Sequence, residues 1–470
     1  MTYYKEAERE VDINHIFRQY DVSGIVDQEL TEDLISDLPK HLTCHPTKIF
    51  LSISISGSDD GQKYRIYIQA KNTLKEWIHV TILNLGTYPP KQCGIATFSM
   101  DLRNSLLLQG HKVQVMAVSD DDSSYHYPEE VVFSLQQHHK QDYVKAAAFV
   151  NTSPHIDLLI IQHEYGIYGG IDGEYIREMA KLLHKPFILV THTVLPRPSK
   201  NQKNILNDLC QRAAGVVCMT RQSCALLTDL YEAPPELITV IAHGVPIFKR
   251  YPQSKLKLKH GLHGHQVIST FGLIGPGKGL ELGIRAVADV VPRFPSVRYL
   301  ILGQTHPMLQ KYEGEKYRQM LIDLVSELHI EDNVIFINKY LSDKELGEYL
   351  YMTDIYLSPY PNMDQAVSGT MAFAMGCGRA IVSTPYAYAS EVLNEGRGLL
   401  SRGIESQELA SLIEEILNDK GLQKRLQKKA LEIGNTWTWP NVGQQYSRFF
   451  RQILSNQTDH EEVELTYAKL

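Results

Sequence analysis

The chain has 470 residues, a length that predicts two or three domains. Hydrophobic residues make up 43% and charged residues 21%, which is typical of a globular protein and excludes the disordered and fibrous classes. The 54 acidic and 47 basic residues give a net charge of −7, which argues against a broad surface for nucleic acid. No apolar run approaches the roughly 20 residues that span a bilayer, and the first ten residues lack an apolar export segment.

The six cysteines are scattered, and no two of them form a C-x-x-C pair. This usage indicates a reducing compartment without a disulfide framework or a zinc cage, and we expect a cytoplasmic protein. The acidic run Ser119–Asp122 is better explained as a solvated turn than as a metal-binding loop. The sequence therefore predicts no metal site.

From residue 78 onward, short runs rich in β-branched residues alternate with amphipathic stretches, which is the pattern of parallel α/β layers. Residues 95–109 repeat apolar side chains at helical spacing and are predicted to form the first helix. The strands predicted for this half are 78–84, 112–118, 157–161, 187–191, 215–219 and 237–242.

The stretch 248–265 is basic, polar and rich in turn-forming residues, and it is predicted to be a linker. A second α/β series follows, and then a nearly all-helical stretch over 406–454 that is interrupted at Trp437–Pro440. Residues 455–470 are polar and acidic and are expected to be a frayed tail. The strands predicted for the second series are 267–272, 298–302, 334–337, 354–357 and 379–384.

These patterns predict an α/β protein with two doubly wound, Rossmann-like domains that face each other across a cleft, plus a small N-terminal extension. Ligands of such sheets bind outside the carboxyl ends of the strands, so the facing halves should form one deep site. The expected divisions are an extension at 1–75, a first Rossmann-like domain at 76–247, the linker at 248–265, a second Rossmann-like domain at 266–435 and a C-terminal helix with tail at 436–470.

Two strand-to-helix junctions contain glycine-rich loops. In Tyr88–Thr97, Gly94 would let the backbone approach a ligand, although an ordinary turn explains the same residues. In Phe271–Gly279, the glycines and Lys278 precede a helix, so amide groups, a helix dipole and one cation could meet a diphosphate. This loop is no Walker motif, because no Ser or Thr follows Lys278.

Two further features could contribute to the same site. Ser368-Gly369-Thr370 opens an apolar helix, which fits either an anion cradle or a capped core helix. His163 and His192 stand at strand ends, where a doubly wound sheet presents its ligand, although lone histidines are more often structural.

Taken together, these motifs resemble the retaining glycosyltransferases of the GT-B fold, family four, also called group one, over about residues 78–455. In the first half the resemblance rests on the glycine loop that ends at Thr97, on Gly110-His111-Lys-Val, on Thr191-His192 and on Ala242–Pro246. In the second half it rests on Gly272–Gly279, Leu300–Gly303, Asp354–Pro359, Ser390–Val392, Gly396–Leu399 and Trp437–Phe450.

The resemblance implies that a hexose moves from a nucleoside-diphosphate sugar (GDP-, UDP- or ADP-hexose) to a carbohydrate or lipid-linked acceptor, without a metal or cofactor. It also implies that 76–247 is the acceptor-side domain, that 266–435 binds the nucleotide sugar and that 436–470 contains a crossover helix. It leaves open a peripheral membrane contact and a homo-oligomer. His192 and Lys278 are expected to be catalytic, and Gly94, His163, Glu164 and His192 to orient the acceptor or the sugar. The residues expected to bind the donor are Gly94, Gly275, Gly277, Lys278, Gln365, Ser368, Gly369, Thr370 and Glu391.

Three positions depart from the family pattern. The phosphate-binding arginine of the family falls on Leu273, and its paired glutamates fall on Gln365 and Phe373. Phenylalanine cannot accept hydrogen bonds from ribose hydroxyls, the role usual for the second glutamate. Because Gln365–Tyr386 resembles a subgroup pattern, Q-x-x-SGT-x-A-x-A-x-G-x-G-K-A-x-x-STPY, the departures fit a subgroup habit.

Two alternatives to an active transferase follow from these departures and from the fold. One is a catalytically weakened subunit that binds a nucleotide or a sugar, suggested by Leu273 and Phe373. The other is a sugar phosphorylase of the same fold, which would need a pyridoxal-phosphate lysine, and no motif in the sequence suggests one.

The N-terminal extension resembles a different family. Ile16–Val26, followed by Glu29-Leu-Thr31, is similar to the opening segment of phosphohexomutases. The phosphoserine and metal loops of that family are absent from the sequence, so mutase activity is not expected. We expect residues 1–75 to form a small α/β addition for docking or oligomerisation.

Overall fold

The computed structural model describes residues 50–57, 64–71, 79–120 and 125–467. The chain divides into two compact units, residues 1–78 and 79–470, close to the boundary expected at residue 75. In the first unit, strands β1 (Phe50–Gly57) and β2 (Tyr64–Lys71) pair antiparallel. The segment similar to phosphohexomutases, Ile16–Thr31, lies outside the described residues, and that similarity stays a prediction.

The second unit begins with a lobe that we call the first lobe (residues 79–247), which is built on a parallel sheet. In the described part of the chain this sheet has seven strands in the order β5-β4-β3-β6-β7-β8-β9. Strand β6 is buried along its whole length, because helices cover both faces of the sheet. The strands are β3 (Thr81–Gly86), β4 (Lys112–Ser119), β5 (Val131–Gln136), β6 (Leu158–His163), β7 (Phe187–Thr191), β8 (Gly215–Cys218) and β9 (Ile238–Val240).

The helices of the first lobe alternate with its strands, as the sequence pattern predicts. The fourth of them begins with a capping box in which Ser199 and Gln202 satisfy each other's backbone amides. These helices are α1 (Gly94–Leu107), α2 (Lys140–Thr152), α3 (Tyr175–Leu182), α4 (Lys200–Arg212) and α5 (Arg221–Asp229).

The second lobe (residues 248–434) repeats this architecture around a parallel sheet ordered β12-β11-β10-β13-β14-β15 among the described residues. Its strands are β10 (Gln266–Phe271), β11 (Val297–Leu302), β12 (Val334–Ile337), β13 (Ile355–Ser358), β14 (Ala380–Ser383) and β15 (Leu399–Leu400). Its helices are α6 (Gln253–Lys259), α7 (Leu280–Val290), α8 (Pro307–Glu313), α9 (Lys316–Glu327), α10 (Asp343–Met352), α11 (Gly369–Gly376), α12 (Ala387–Val392), α13 (Ser406–Asn418) and α14 (Lys420–Gly434). The predicted fold of two parallel-sheet α/β domains is confirmed.

The stretch 248–265 differs from the predicted linker, because it contains helix α6 and packs as part of the second lobe. Phe248, Leu256 and Leu262 are buried in the core that also receives α10. The polar and basic side chains between them hide this pattern in the sequence. A hinge role for this stretch stays a prediction.

The last helix, α15 (Trp439–Tyr467), returns from the second lobe and packs on the first. Tyr446, Phe449 and Phe450 are buried against strands of the first sheet, and each such side chain contributes roughly 1.5–3 kcal/mol on burial. The helix continues to Tyr467, although the sequence predicted a frayed tail from residue 455. In the described part of the chain no helix has both the length and the apolar character to cross a membrane.

The chain crosses between the lobes twice, and the two crossings lie side by side. Val245, on the outward crossing, forms a parallel bridge with Thr438 on the return. The Val245 amide donates to the Trp437 carbonyl over 2.8 Å, and the Trp439 amide donates to the Val245 carbonyl over 3.1 Å. Both connections therefore pass through one small region.

Candidate active site

The carboxyl ends of the two parallel sheets face each other, and side chains from both lobes meet there. Thr97, in the first turn of α1, lies 3.3 Å from the hydroxyl of Tyr340 in the second lobe. Arg197 of the first lobe donates to the carboxylate of Asp364 over 2.5 Å. The cleft predicted from the fold class therefore lies where ligands of doubly wound sheets bind.

Lys278 lies at the start of the second lobe, in a short 3-10 turn (Pro276–Lys278) between β10 and α7. Its ammonium donates a hydrogen bond to the hydroxyl of Tyr360 and lies 4.5 Å from the centre of the same ring. The side chain is half-buried. The cation is thus held at the strand ends of the second lobe instead of extending into bulk solvent.

Two glycines of this loop that are not among the expected donor ligands make this placement possible. Gly279 has a left-handed φ of 58°, and a Cβ there would lie 2.0 Å from the carbonyl oxygen of Pro359. Gly272 has a φ of 129°, and a Cβ there would lie 3.2 Å from the Lys278 ammonium nitrogen. These are the positions of the loop at which other residues would be strained.

The three glycines predicted to bind the donor have a simpler environment. A Cβ built at Gly94 or Gly277 would meet nothing within 4 Å, and one at Gly275 would meet only a Leu309 methyl at 3.7 Å. The space beside these three glycines is open to a ligand, and no close contact requires glycine at any of the three positions.

One part of the predicted diphosphate cradle needs correction. The amide of Lys278 donates to the Gly275 carbonyl over 2.9 Å, and the amide of Gly279 donates to the Pro276 carbonyl over 3.1 Å. These two amides are therefore occupied within the turn and cannot also serve a phosphate.

Ser368, Gly369 and Thr370 form the start of α11, as predicted. The Ser368 hydroxyl caps the helix by accepting the Met371 amide over 3.3 Å, and it lies 3.2 Å from the Thr370 hydroxyl. The Thr370 hydroxyl lies 2.8 Å from that of Tyr360. Hydroxyl groups therefore link Lys278 to the amino end of α11, the end of a helix that favours anions.

Gln365, another predicted donor ligand, lies in the loop before α11. Its side-chain amide donates a hydrogen bond to the backbone carbonyl of Val367 over 2.9 Å. Its backbone carbonyl accepts a hydrogen bond from the Tyr388 amide over 3.1 Å. In this structure the residue shapes the loop that precedes the helix.

His192 lies at the end of β7, half-buried against the ring of Phe98 at 4.8 Å. Its Nε2 is 2.9 Å from the Gln162 side-chain oxygen, while the Gln162 amide nitrogen donates to Asn84. Nε2 is therefore the protonated nitrogen and Nδ1 the acceptor. Burial, followed by repulsion from His243 and His163, lowers the pKa of His192 to about 3, so its imidazole is neutral near pH 7.

His163 was expected to orient an acceptor or sugar, but the structure does not bring it to the cleft surface. The side chain is 1% exposed, and its ring packs 4.9 Å from that of Tyr165. Burial lowers its pKa to about 4. Its position supports a structural role.

The neighbouring Glu164 joins the loops that follow β6 and β7. Its carboxylate accepts from the Thr193 hydroxyl over 2.5 Å and from the Tyr165 amide over 3.0 Å. Burial raises its pKa, while these two hydrogen bonds oppose the rise. The residue holds two cleft loops together.

Glu391 was expected to bind the donor, but its carboxylate bridges the two lobes. One oxygen accepts the Arg221 amide over 2.7 Å and the other accepts the Gln222 amide over 2.9 Å. These amides open helix α5 of the first lobe, where a carboxylate is favoured by the helix dipole. In this arrangement Glu391 serves as an interlobe cap and is not free for a ligand.

An aromatic cluster fills the part of the cleft next to Phe373. Its ring lies 6.0 Å from those of Phe271 and His243 and 6.1 Å from that of Phe248. His243, in turn, is so close to α11 that a Cβ at Gly369 would lie 2.8 Å from its Nε2. Phe373, which stands where the family has a glutamate, therefore packs against aromatic rings of its own lobe and against His243 of the first lobe.

Sequence reasoning missed two residues of this site, Tyr360 and His243. Tyr360 follows β13 after one residue and His243 follows β9 after two, so both lie just beyond the carboxyl ends of strands. Their position at the carboxyl ends of strands was the available signal. In the described part of the chain, no three metal-ligating side chains come together in a way that could hold a metal ion.

Both lobes match known protein families. Residues 93–247 match the model of Glycosyltransferase Family 4, and residues 253–432 match that of Glycosyl transferases group 1. A D-inositol 3-phosphate glycosyltransferase of Stackebrandtia nassauensis is 27% identical over 238 residues, covering 48% of this chain and 51% of the relative. The enzyme of the same name from Corynebacterium efficiens is 22% identical, covering 65% of this chain and 73% of its own. The chain spans about half the length of most of the curated relatives it matches.

Solved structures share the fold. A complex of Anabaena Alr3699/HepE with UDP and glucose has a TM-score of 0.62 and 19% identity, covering 80% of this chain and all of that one. Sucrose-phosphate synthase (tll1590) from Thermosynechococcus elongatus has a TM-score of 0.67 and 17% identity, with the same coverage. The two family matches coincide with the two lobes and together span well over half of the residues, so the chain belongs to the group 1, family 4 glycosyltransferases of the GT-B fold.

Proposed function

We propose that the protein is a retaining glycosyltransferase that moves a hexose from a nucleoside-diphosphate sugar to a carbohydrate or lipid-linked acceptor. The observation that carries the proposal is the Lys278 ammonium, held on Tyr360 beside the amino end of α11. A cation and a helix start that converge on one point fit the diphosphate of such a donor.

The chemistry requires that charge building on the departing diphosphate be stabilised. The bond between the anomeric carbon and the β-phosphate oxygen breaks, a new bond to the acceptor hydroxyl oxygen forms, and the hydroxyl proton passes to a phosphate oxygen. Lys278 and the amino end of α11 would stabilise the leaving group, because they are fixed before the reaction begins. Retention of the anomeric configuration follows if the phosphate assists on the face it leaves.

His192 would orient a sugar hydroxyl from the opposite lobe. Its low pKa makes the imidazole a weak base, which favours a hydrogen-bonding role through Nδ1 over proton abstraction. The contacts between the lobes would exclude water from the donor while it reacts.

UDP-glucose is the first donor to test. Anabaena Alr3699/HepE, a structural neighbour, was solved with UDP-glucose and with UDP and glucose, and the curated relatives from Stackebrandtia and Corynebacterium are D-inositol 3-phosphate glycosyltransferases. These names make UDP-hexoses and phosphorylated cyclitols sensible first partners.

The proposal is tested by incubating the protein with UDP-, GDP- and ADP-hexoses, each with and without a panel of sugar, cyclitol phosphate and lipid-linked acceptors. Release of the free nucleoside diphosphate together with a new glycoside is the expected result. Proton NMR of that glycoside then reports whether the anomeric configuration is retained, and activity that persists in a chelator supports metal independence.

The second candidate is a catalytically weakened subunit that binds a nucleotide or a sugar. The packing of Phe373 among aromatic rings favours it, because no carboxylate is present there to hold ribose hydroxyls. Saturable binding of a nucleoside diphosphate without release of product from any donor and acceptor pair would support this candidate against the first.

A further inference from the structure

Tyr360 is fixed in place more firmly than a cleft side chain usually is. It follows β13, it is 3% exposed, and its ring stacks on that of Tyr386 with the centroids 5.1 Å apart and the planes 14° from parallel. An offset aromatic stack of this kind holds both rings in a single orientation. The Tyr360 hydroxyl therefore has a defined position at the floor of the site.

Lys278 makes two contacts with this one side chain. Its ammonium donates to the hydroxyl and also lies 4.5 Å from the ring centre, within the range of a cation–π interaction. A free lysine side chain loses conformational entropy when it is immobilised. Contacts made before the ligand arrives offset that cost in advance.

The hydroxyl groups around Tyr360 determine which group donates and which accepts in the hydrogen bond between Lys278 and Tyr360. An ammonium can only donate, so the Tyr360 oxygen accepts from Lys278 and is free to donate its own proton to Thr370, 2.8 Å away. The Thr370 hydroxyl lies 3.2 Å from the Ser368 hydroxyl, which accepts a hydrogen bond from the Met371 amide at the start of α11. Only one of the three ammonium protons is engaged by Tyr360, which leaves two for a phosphate.

The electrostatic surroundings agree with this geometry. Burial by itself raises the pKa of the Tyr360 hydroxyl, but the charge of the Lys278 ammonium and the hydrogen bonds with Lys278, Thr370 and Ser368 lower it by more, so the net shift of this pKa is downward. A tyrosine oxygen that carries more negative charge is a stronger acceptor for the ammonium.

We propose that Tyr360 is a positioning residue of the donor site, whose hydroxyl and ring hold the Lys278 ammonium where the β-phosphate of the donor binds. The inference rests on the proposed function and assigns to Tyr360 a share of the affinity for the second phosphate.

The test compares Tyr360→Phe with the wild-type full-length protein. The substitution keeps the ring stack and the cation–π contact and removes only the hydroxyl. Affinities for UDP, GDP and ADP and for the matching monophosphates are measured by calorimetry. We expect Tyr360→Phe to weaken the diphosphate that binds about tenfold, the size of one hydrogen bond to a charged group, and to change the monophosphate less than twofold.

Tyr299→Phe is the matched control, because it removes a similarly buried hydroxyl of the second lobe that lies 2.9 Å from the Thr270 hydroxyl and does not contact Lys278. It should leave both affinities within twofold of the wild type. A purely structural role of Tyr360 would weaken the monophosphate and the diphosphate alike, so equal losses would overturn the proposal.

The remaining outcomes separate this inference from the function on which it rests. If the wild type binds a diphosphate and Tyr360→Phe binds it as well or better, Tyr360 does not position Lys278, and the proposed function still stands. If the wild type binds none of the three diphosphates, the proposed function fails and the inference fails with it.

Discussion

In the proposed function, Lys278 is the residue on which the donor chemistry depends most directly. Leu273 occupies the place of the family's arginine, so this ammonium is the cation that the β10–α7 loop supplies. We expect Lys278→Ala to lower turnover by two decades or more, the effect of removing one preorganised group. Lys255→Ala, which changes an exposed lysine of α6, is the control. Steady-state kinetics with the active donor decide the matter, and equal turnover in the two variants would remove Lys278 from the mechanism.

His192 is expected to act on the sugar and not on the nucleotide. His192→Ala should therefore reduce transfer about 10- to 100-fold, the effect of one or two lost hydrogen bonds, while affinity for the nucleoside diphosphate is retained. His184→Ala, which changes an exposed histidine of the same lobe, serves as control. The free energy of unfolding is measured alongside, because Gln162 loses its partner. Unchanged transfer would assign His192 to structure alone.

At the scale of elements, the loop between β10 and α7 depends on its close approach to the strand end of β13. Gly279→Ala places a methyl group 2.0 Å from the Pro359 carbonyl at a left-handed residue, so we expect a loss of at least about 2 kcal/mol in the free energy of unfolding. Gly277→Ala lies two residues away in open space and should unfold like the wild type. Urea denaturation of both variants tests the difference, and equal stability would show that the loop relaxes without cost.

The sequence predicted best the elements that are buried on all sides, because such elements consist almost entirely of apolar residues. Strand β6 was expected at 157–161 and is found at Leu158–His163, because both of its faces are buried. Strand β5 was missed, since it lies at the sheet edge and most of its side chains are partly exposed. Helix α6 was missed because its charged side chains outnumber the buried Leu256.

The candidate site could be located from the sequence but not completed. Lys278 and the start of α11 were found through their glycine and capping signals, which are local. Tyr360, His243 and the interlobe bond of Glu391 depend on contacts between residues far apart in the chain. Pairings of that kind follow from how strands pack within a lobe and how the two lobes meet, and no spacing in the sequence encodes them.

At the scale of the whole molecule, Glu391 links helix α5 of the first lobe to the second lobe. We expect Glu391→Ala to speed hydrogen exchange at the Arg221 and Gln222 amides, because both lose their acceptor. Glu408→Ala is a matched control, since that carboxylate binds the amides of Arg402 and Gly403 within one lobe. Exchange at Arg221 and Gln222 that does not change would mean that the interlobe bond is absent in solution.

A pair of carboxylates also lies between the lobes. Burial and then repulsion from Asp343 raise the pKa of Asp101 to about 7, against a smaller opposing effect of Trp439. The folded protein therefore holds a proton on Asp101 that the unfolded chain releases between about pH 4 and pH 7. It follows that the contribution of Asp101 to stability falls as the pH rises through this interval.

Asp101→Asn removes this titration. We expect the variant to gain stability relative to the wild type at pH 8, and to gain much less at pH 5, with each unit of the pKa shift equivalent to about 1.4 kcal/mol at most. Asp332→Asn, at an exposed position, is the control. Urea denaturation at both pH values measures the difference, and a gain that is the same at pH 5 and pH 8 would contradict the assignment.

The paired crossings at Val245 and Thr438 have a mechanical consequence. Because both covalent connections between the lobes run through one place, we expect the lobes to move about that place as rigid bodies, with neither sheet disturbed. Such a movement would break the interlobe contacts opposite the crossings, among them the exposed ion pair Arg197–Asp364, which water and salt screen, and the bonds of Glu391 to the amides of α5. In the proposed function, this movement would admit the substrates and release the products, while the groups that stabilise the leaving diphosphate stay fixed within the second lobe.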